Sequence, residues 1–188
     1  MLSFKNFILE SQEHTSADTS LNQVSAGLKY AVEKGHIKPN SINIDHGGGR
    51  FDKGIEHVES NVEGAKLHVH DPFNRSEEHN KNIEDRHKGK ADYVGLHNVL
   101  NVIKEPEIRQ KALEKVKSFV HPSGTVHISV HEGDGNGKSR ITKNDKGRGS
   151  SWQEHRKTET YMDEVKNTFP ESEHNVTRKG KHIIITKK

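Results

Sequence analysis

The sequence predicts an α/β fold: an open, mostly parallel sheet with helices on both faces and an antiparallel hairpin at the C-terminus. Three observations carry this. Segments with helical spacing alternate with short β-rich segments along residues 21–188. Two early strands end in an acid at a turn, Asp45 before a glycine run and Asp71 before a proline. The last apolar block, Ile183-Ile184-Ile185, lies just beyond a Lys179-Gly180 turn.

In chain order, Leu21 to Gly35 places Val24, Leu28, Ala31 and Val32 at helical spacing, with Gly35 suited to the position after the helix and Pro39 to stop it. Ser41 to Asp45 alternates as a strand, His46-Gly47-Gly48-Gly49 turns the chain, and a helix restarts through Ile55 and Val58. Lys66 to Asp71 is a second strand, and the polar tract Asn74 to Lys90 reads as helix or loop. Asp92 to Leu96 is a third strand, and Pro106 to Val120 carries Ile108, Ala112, Leu113 and Val116 on one face of a covering helix. Thr125 to Val130 is a further strand, and the Gly, Lys, Arg and Asp-rich tract Gly133 to Ser151 is expected to be a lid. Tyr161 to Phe169 is a helix, and Val176 to Thr186 closes the chain as a hairpin.

The length of 188 residues suits one domain, and with 28% hydrophobic against 30% charged residues the core must sit in a few strongly apolar segments. The absence of cysteine excludes disulfides, thiolate zinc sites and a cysteine nucleophile. No stretch approaches the roughly 20 apolar residues of a membrane-spanning helix, so no membrane partner is expected. A net charge of +3 permits contact with nucleic acid without indicating it. Fifteen histidines make the charge climb steeply just below neutral pH. Six of them, His46, His68, His70, His97, His127 and His131, fall in or beside predicted strands, but no His-x-x-x-His pair lies on a helix and no metal site is expected.

The glycine turn after Asp45 lets backbone amides approach a ligand at the carboxyl end of a parallel strand, where such folds bind ligands. Asp71 follows 26 residues later at the next strand tip, where a nucleotide-binding unit places a carboxylate for both ribose hydroxyls. A dinucleotide-dependent oxidoreductase and an S-adenosylmethionine-binding protein both fit so far. The glycine spacing separates them, because Asp52 stands where the third glycine of G-x-G-x-x-G belongs.

On these residues the chain resembles class I S-adenosylmethionine-dependent methyltransferases, which have a Rossmann-like sheet: Asp45-x-Gly47-x-Gly49 matches the first motif and Asp71 the ribose-binding acid. Ala91 to Ile103 is similar to the fourth-strand motif, and Val120-His121-Pro122-Ser123-Gly124-Thr125-Val126 to the turn before the fifth strand. Uncharacterised methyltransferase-like proteins of phages and mobile elements resemble it further in Asp71-Pro72-Phe73-Asn74-Arg75, Asn98 to Ile103 and Ser151 to Thr158. The resemblance implies that Asp45, His46, Gly47, Gly48 and Gly49 surround the methionine part of S-adenosyl-L-methionine, that Asp71 holds the ribose and that Pro72 and Phe73 pack on adenine. His97 and Asn98 would lie nearest the transferred methyl group, with His97 as a base. Asn101, Trp152, Gln153 and Arg156 are candidates for substrate binding, and Trp152 reads equally as a core anchor.

The chain departs from the family between Asp71 and Ala91, where the usual third strand is missing or reduced; Asp85 is the candidate for the acid that meets the adenine amine. Asn98-Val99-Leu100-Asn101 is not the Asn/Asp-Pro-Pro-aromatic motif of amino-methylating DNA enzymes, and carbon-5 cytosine chemistry lacks its cysteine. The expected reaction is therefore methyl transfer to an O or N acceptor, which the sequence leaves open among nucleic acid, protein and small molecule. A second reading is a non-catalytic phage internal head protein that uses a vestigial methyltransferase fold to bind nucleic acid or a host factor. Residues 1–20 read as a separate peptide and linker, not a secretory signal. Its Ile8-Leu9-Glu10 resembles the cleavage site of phage capsid-targeting peptides, which implies a host-cytoplasmic or head-packaged phage protein.

Overall fold

The computed structural model describes residues 20–143 and 150–188. The expected N-terminal peptide, with its cleavage after Glu10, lies outside these residues apart from Ser20.

Helix α1 (Ala26–Glu33) starts later than its apolar spacing predicts, because the Ser25 hydroxyl accepts from Leu28 N at 3.1 Å and caps it there. Its end is as expected. Gly35 takes φ 65°, and the amides of Gly35 and His36 donate to the carbonyls of Val32 and Ala31. Strand β1 (Ile42–His46), helix α2 (Lys53–Asn61) and strand β2 (Lys66–His70) follow.

The polar tract Asn74 to Lys90 forms helix α3 (Glu77–His87), capped by Ser76 with Glu77 and Glu78 in its first turn and Arg86 and His87 in its last. Only Asn80 and Ile83 of this helix are buried, so capping and charge mark it better than apolar periodicity does. It leads through Gly89 directly into strand β3 (Ala91–His97), which leaves β2 at the sheet edge and the family's third strand absent among the described residues.

Helix α4 (Pro106–Phe119) covers β3 and runs into strand β4 (Val120–Ser129), which begins five residues earlier than the expected Thr125 and carries a register irregularity opposite Ala91 and Tyr93. Gly124 is the tight position there, since a Cβ would lie 2.7 Å from the Ala91 carbonyl oxygen; the Ser123 side chain is exposed and bonds His121. The expected lid is in part a strand. β5 (Lys138–Lys143) pairs antiparallel with β6 (Ser150–His155), and Ile141 stands opposite Trp152. Helix α5 (Met162–Thr168) and the strands β7 (His174–Lys179) and β8 (His182–Lys187) complete the chain.

The main sheet has the order β2-β1-β3-β4-β8-β7. β2, β1, β3 and β4 are parallel; β8 runs antiparallel to β4 and β7 antiparallel to β8. Ile44, Leu96, Leu113, Val116, Phe119 and Val165 build the core on the face covered by α3, α4 and α5. Leu28, Ala31, Val58, Leu67 and Tyr93 build a smaller one beneath α1 and α2. The parallel strand tips that carry Asp45, Asp71 and His97 therefore open on one edge of the sheet.

Candidate active site

A cleft of about 1590 Å³ lies at that edge, larger than the roughly 300–1,000 Å³ of a single small-molecule site. Asp45, His46, Gly47, Gly48, Gly49, Asp71, Pro72, Phe73, His97, Asn98, Asp85 and Gln153 all line it.

The glycine turn is built by close approaches. Gly47 and Gly49 both have φ 80°; a Cβ on Gly47 would meet Val99 at 2.4 Å, and one on Gly48 would meet Asp45 Oδ2 at 2.8 Å. Gly47 N donates to the His70 carbonyl at 2.8 Å, and Gly49 N donates to Asp71 Oδ2 at 2.8 Å. Arg75 closes the outside of the turn, with Nε donating to Gly49 O at 2.9 Å and Nη2 to Asp52 Oδ1 at 2.7 Å. Asp52, out of place for a dinucleotide motif, thus has a structural partner in the Asp71-Pro72-Phe73-Asn74-Arg75 segment.

Asp45 is buried, and its Oδ1 has no hydrogen-bond partner. Burial, and then the neighbouring Asp71, pushes its carboxyl up to about 7. Asp71 is well satisfied instead. Oδ1 accepts from the amides of Phe73 and Asn74 at 2.9 Å each, Oδ2 accepts from Gly49, and Asn74 Nδ2 reaches both oxygens at 3.2 Å. Asn80, on α3, brackets the Asp71 backbone by accepting from its N at 3.0 Å and donating to its O at 2.9 Å.

Both His97 ring nitrogens are engaged, Nδ1 with Ser129 Oγ at 2.9 Å and Nε2 with Tyr93 Oη at 3.0 Å. The chain of contacts continues beneath α1 from Tyr93 to His127 at 3.0 Å and on to His182 at 2.9 Å, where Tyr30 stacks 3.8 Å away. Burial, and then His182, lowers the His97 pKa to about 3, so the ring is neutral. Asn98 follows at φ 59°, an exposed left-handed residue at the cleft rim that asparagine tolerates better than most.

The remaining predicted residues lie elsewhere. Trp152 is half-buried outside the cleft lining while Ser151 and Gln153 face it, because side chains alternate along β6. Arg156 is also outside the lining: Nη2 donates to Glu164 Oε1 at 2.6 Å and the guanidinium lies 3.7 Å from the Tyr161 ring centre. Asn101 is fully buried away from the cleft, with neither side-chain polar atom partnered. The structure adds lining residues, among them Ser20, Gln23, His70 of β2, Glu84 of α3, and Lys111 and Lys115 of α4. Among the described residues no group of three or more histidines or acids is arranged to hold a metal ion, and no helix is long and apolar enough to cross a membrane.

Sheet order, flanking helices and the placement of the cleft give this chain the Rossmann-like fold of class I S-adenosylmethionine-dependent methyltransferases. No family model matches it, and no curated protein does. Among solved structures it is similar to the 1,6-didemethyltoxoflavin-N1-methyltransferase of Burkholderia thailandensis, determined with 1,6-didemethyltoxoflavin and S-adenosylhomocysteine, at 14% identity over 96% of this chain and 86% of that one, with a TM-score of 0.57. An Aquifex aeolicus S-adenosylmethionine-dependent methyltransferase aligns at 13% identity over 93% of this chain and 95% of its own, with a TM-score of 0.52. At these identities the likeness is one of fold.

Proposed function

We propose that the protein transfers a methyl group from S-adenosylmethionine to an N or O acceptor. One observation carries the reading: the unpartnered Oδ1 of Asp45, buried at the base of the cleft beside a glycine turn that admits no Cβ. A buried carboxylate without a donor is unfavourable alone and matches a ligand that brings cationic or N–H groups. S-adenosylmethionine supplies a sulfonium-borne methyl and an ammonium group. Asp45 and the close-approach surface of the glycine turn would hold its methionine part, Asp71 its ribose, and Phe73 its adenine. Three of the groups on Asp71 are backbone amides that shape the turn, so the Asn74 side chain, at 3.2 Å from each oxygen, is the partner that a ribose diol would replace.

Because both nitrogens of His97 are taken, its role here is to form the cleft floor and position Asn98, and orientation of the acceptor supplies much of the rate. The cleft's size leaves room for an acceptor beside the cofactor, and its mixed lining leaves nucleic acid, protein and small molecule open. Phage origin and packaging in a head rest on the sequence resemblances alone, and mass spectrometry of the N-terminus in virions tests the cleavage after Glu10.

Calorimetry with S-adenosylhomocysteine tests the function. Wild-type protein binds it, and Asp45→Asn weakens binding at least tenfold, about 1.4 kcal/mol. A folded wild-type protein that does not bind overturns the reading and favours the non-catalytic alternative. Labelled S-adenosylmethionine in cell extract then identifies the fraction that accepts the methyl group.

A further inference from the structure

His46 and His70 end adjacent parallel strands and face each other in register, on the side of the sheet opposite the Tyr93 and His127 network. Their Nδ1 atoms are 2.9 Å apart, and His70 Nε2 is 2.9 Å from Glu84 Oε1 on α3. The same carboxylate oxygen lies 2.9 Å from Lys115 Nζ on α4, and Phe119 packs edge-on against His70. Both imidazoles are buried, whereas 39% of the Glu84 side chain is exposed.

This arrangement dictates where the protons are. Against the upward push of partial burial, the hydrogen bonds from His70 and then Lys115 hold the Glu84 carboxyl below its ordinary range, so it is an ionised acceptor and His70 Nε2 carries the hydrogen. Burial keeps His70 neutral, against the pull of Glu84, which leaves its Nδ1 as a bare acceptor. His46 must then donate from Nδ1. Burial, and then His70 and Lys115, lowers the His46 pKa to about 3, so this ring is neutral too and its Nε2 is a bare lone pair. That atom has no hydrogen-bond partner among the described residues, and His46 lines the cleft.

We propose that His46 is the catalytic base that removes the acceptor's proton, held in the required tautomer by His70 and Glu84 as positioning residues. The inference rests on the methyltransferase reading. In that reaction the acceptor's lone pair forms the new bond to the methyl carbon, the electrons of the carbon–sulfur bond stay on sulfur, and one N–H or O–H proton is left over. The proton goes to Nε2 of His46. The resulting imidazolium keeps its Nδ1–H bond to His70, which the ionised Glu84 anchors; because burial, His70 and Lys115 disfavour the charged ring, it gives the proton up readily to water when product leaves. The arrangement has the logic of a hydrolase triad in which an acid orients a histidine, with a second imidazole between them. The charged and titratable groups facing the pair are Asp71 of the β2 tip, Glu84 of α3 and Lys115 of α4.

Histidine-labelled ¹⁵N spectra of the full chain between pH 5 and 8 test the tautomers without any acceptor. His46 is expected as the Nδ1–H form and His70 as the Nε2–H form, with the His70 preference weakened by Glu84→Gln. A doubly protonated His70 at pH 7, or His46 carrying its hydrogen on Nε2, overturns the proposal. With the acceptor identified by labelled cofactor, His46→Gln is expected to lower kcat by about 100-fold or more with KM little changed and residual activity rising with pH. A loss confined to KM, or to S-adenosylhomocysteine affinity, makes His46 a binding residue and overturns the base. Failure of wild-type protein to bind S-adenosylhomocysteine overturns both readings, whereas binding with the wrong tautomer overturns this one alone.

Discussion

Gly49 N donates to Asp71 Oδ2 at 2.8 Å, so the turn after β1 is fastened to the tip of β2 by the acid that the ribose would share. Asp71→Ala would strip acceptors from the amides of Gly49, Phe73 and Asn74 at once. An unsatisfied buried donor costs about 1–3 kcal/mol. The expected outcome is a loss of roughly 3 kcal/mol in urea unfolding together with loss of S-adenosylhomocysteine binding. Unchanged stability would mean that water or Asn74 replaces the carboxylate.

Asp45 works against stability in the empty protein. The folded state raises its carboxyl from 3.8 to about 7, through burial first and Asp71 second, and so binds this proton more tightly than the unfolded chain. Stability therefore falls as pH rises through that window, by about 4 kcal/mol once pH exceeds 7. Asp45→Asn is expected to stabilise the ligand-free protein by roughly 2 kcal/mol or more at pH 8 and far less at pH 4, while weakening ligand binding. Thermal melts at the two pH values check the sign.

The buried imidazoles act in the opposite direction. His46 and His97 are held near pKa 3 against an ordinary 6.5, in both cases mainly by burial, so the unfolded chain binds more protons at acid pH. Their contribution is complete above pH 6.5 and declines as pH falls, by about 2 kcal/mol per ring at pH 5. Urea midpoints between pH 7 and 5 should drop accordingly. His97→Gln should flatten that dependence, and an unchanged slope would contradict the neutral assignment.

Gly27 has a steric role that helix propensity alone would misjudge. A Cβ there would lie 2.3 Å from both His97 Nδ1 and Ser129 Oγ, between the two partners of a buried hydrogen bond. Alanine gains about 1 kcal/mol in helix propensity, but overpacking costs about 1–3 kcal/mol and the hydrogen bond about 1 more. Gly27→Ala is expected to destabilise the protein by roughly 1–3 kcal/mol in chemical denaturation. A gain would show that α1 can shift away from the sheet.

Local chemistry settled much of this protein before folding is considered. Apolar alternation marks β1 and a short apolar block marks β3, Gly35 marks the end of α1, and the glycine run with Asp45 and Asp71 at strand tips marks the cleft, because parallel strands must present their carboxyl ends along one edge. Capping rather than periodicity defines α3, and the β5–β6 hairpin is too polar for an apolar pattern to reveal it. Tertiary structure alone decided which histidines share a hydrogen, that His97 has no free ring nitrogen, and that Trp152 and Arg156 point away from the cleft. These are facts of strand register and helix docking, which bring together atoms 24 to 34 positions apart in the chain, such as His46 with His70 and Tyr93 with His127. No local pattern encodes such a meeting, because it exists only once both cores have closed around the sheet.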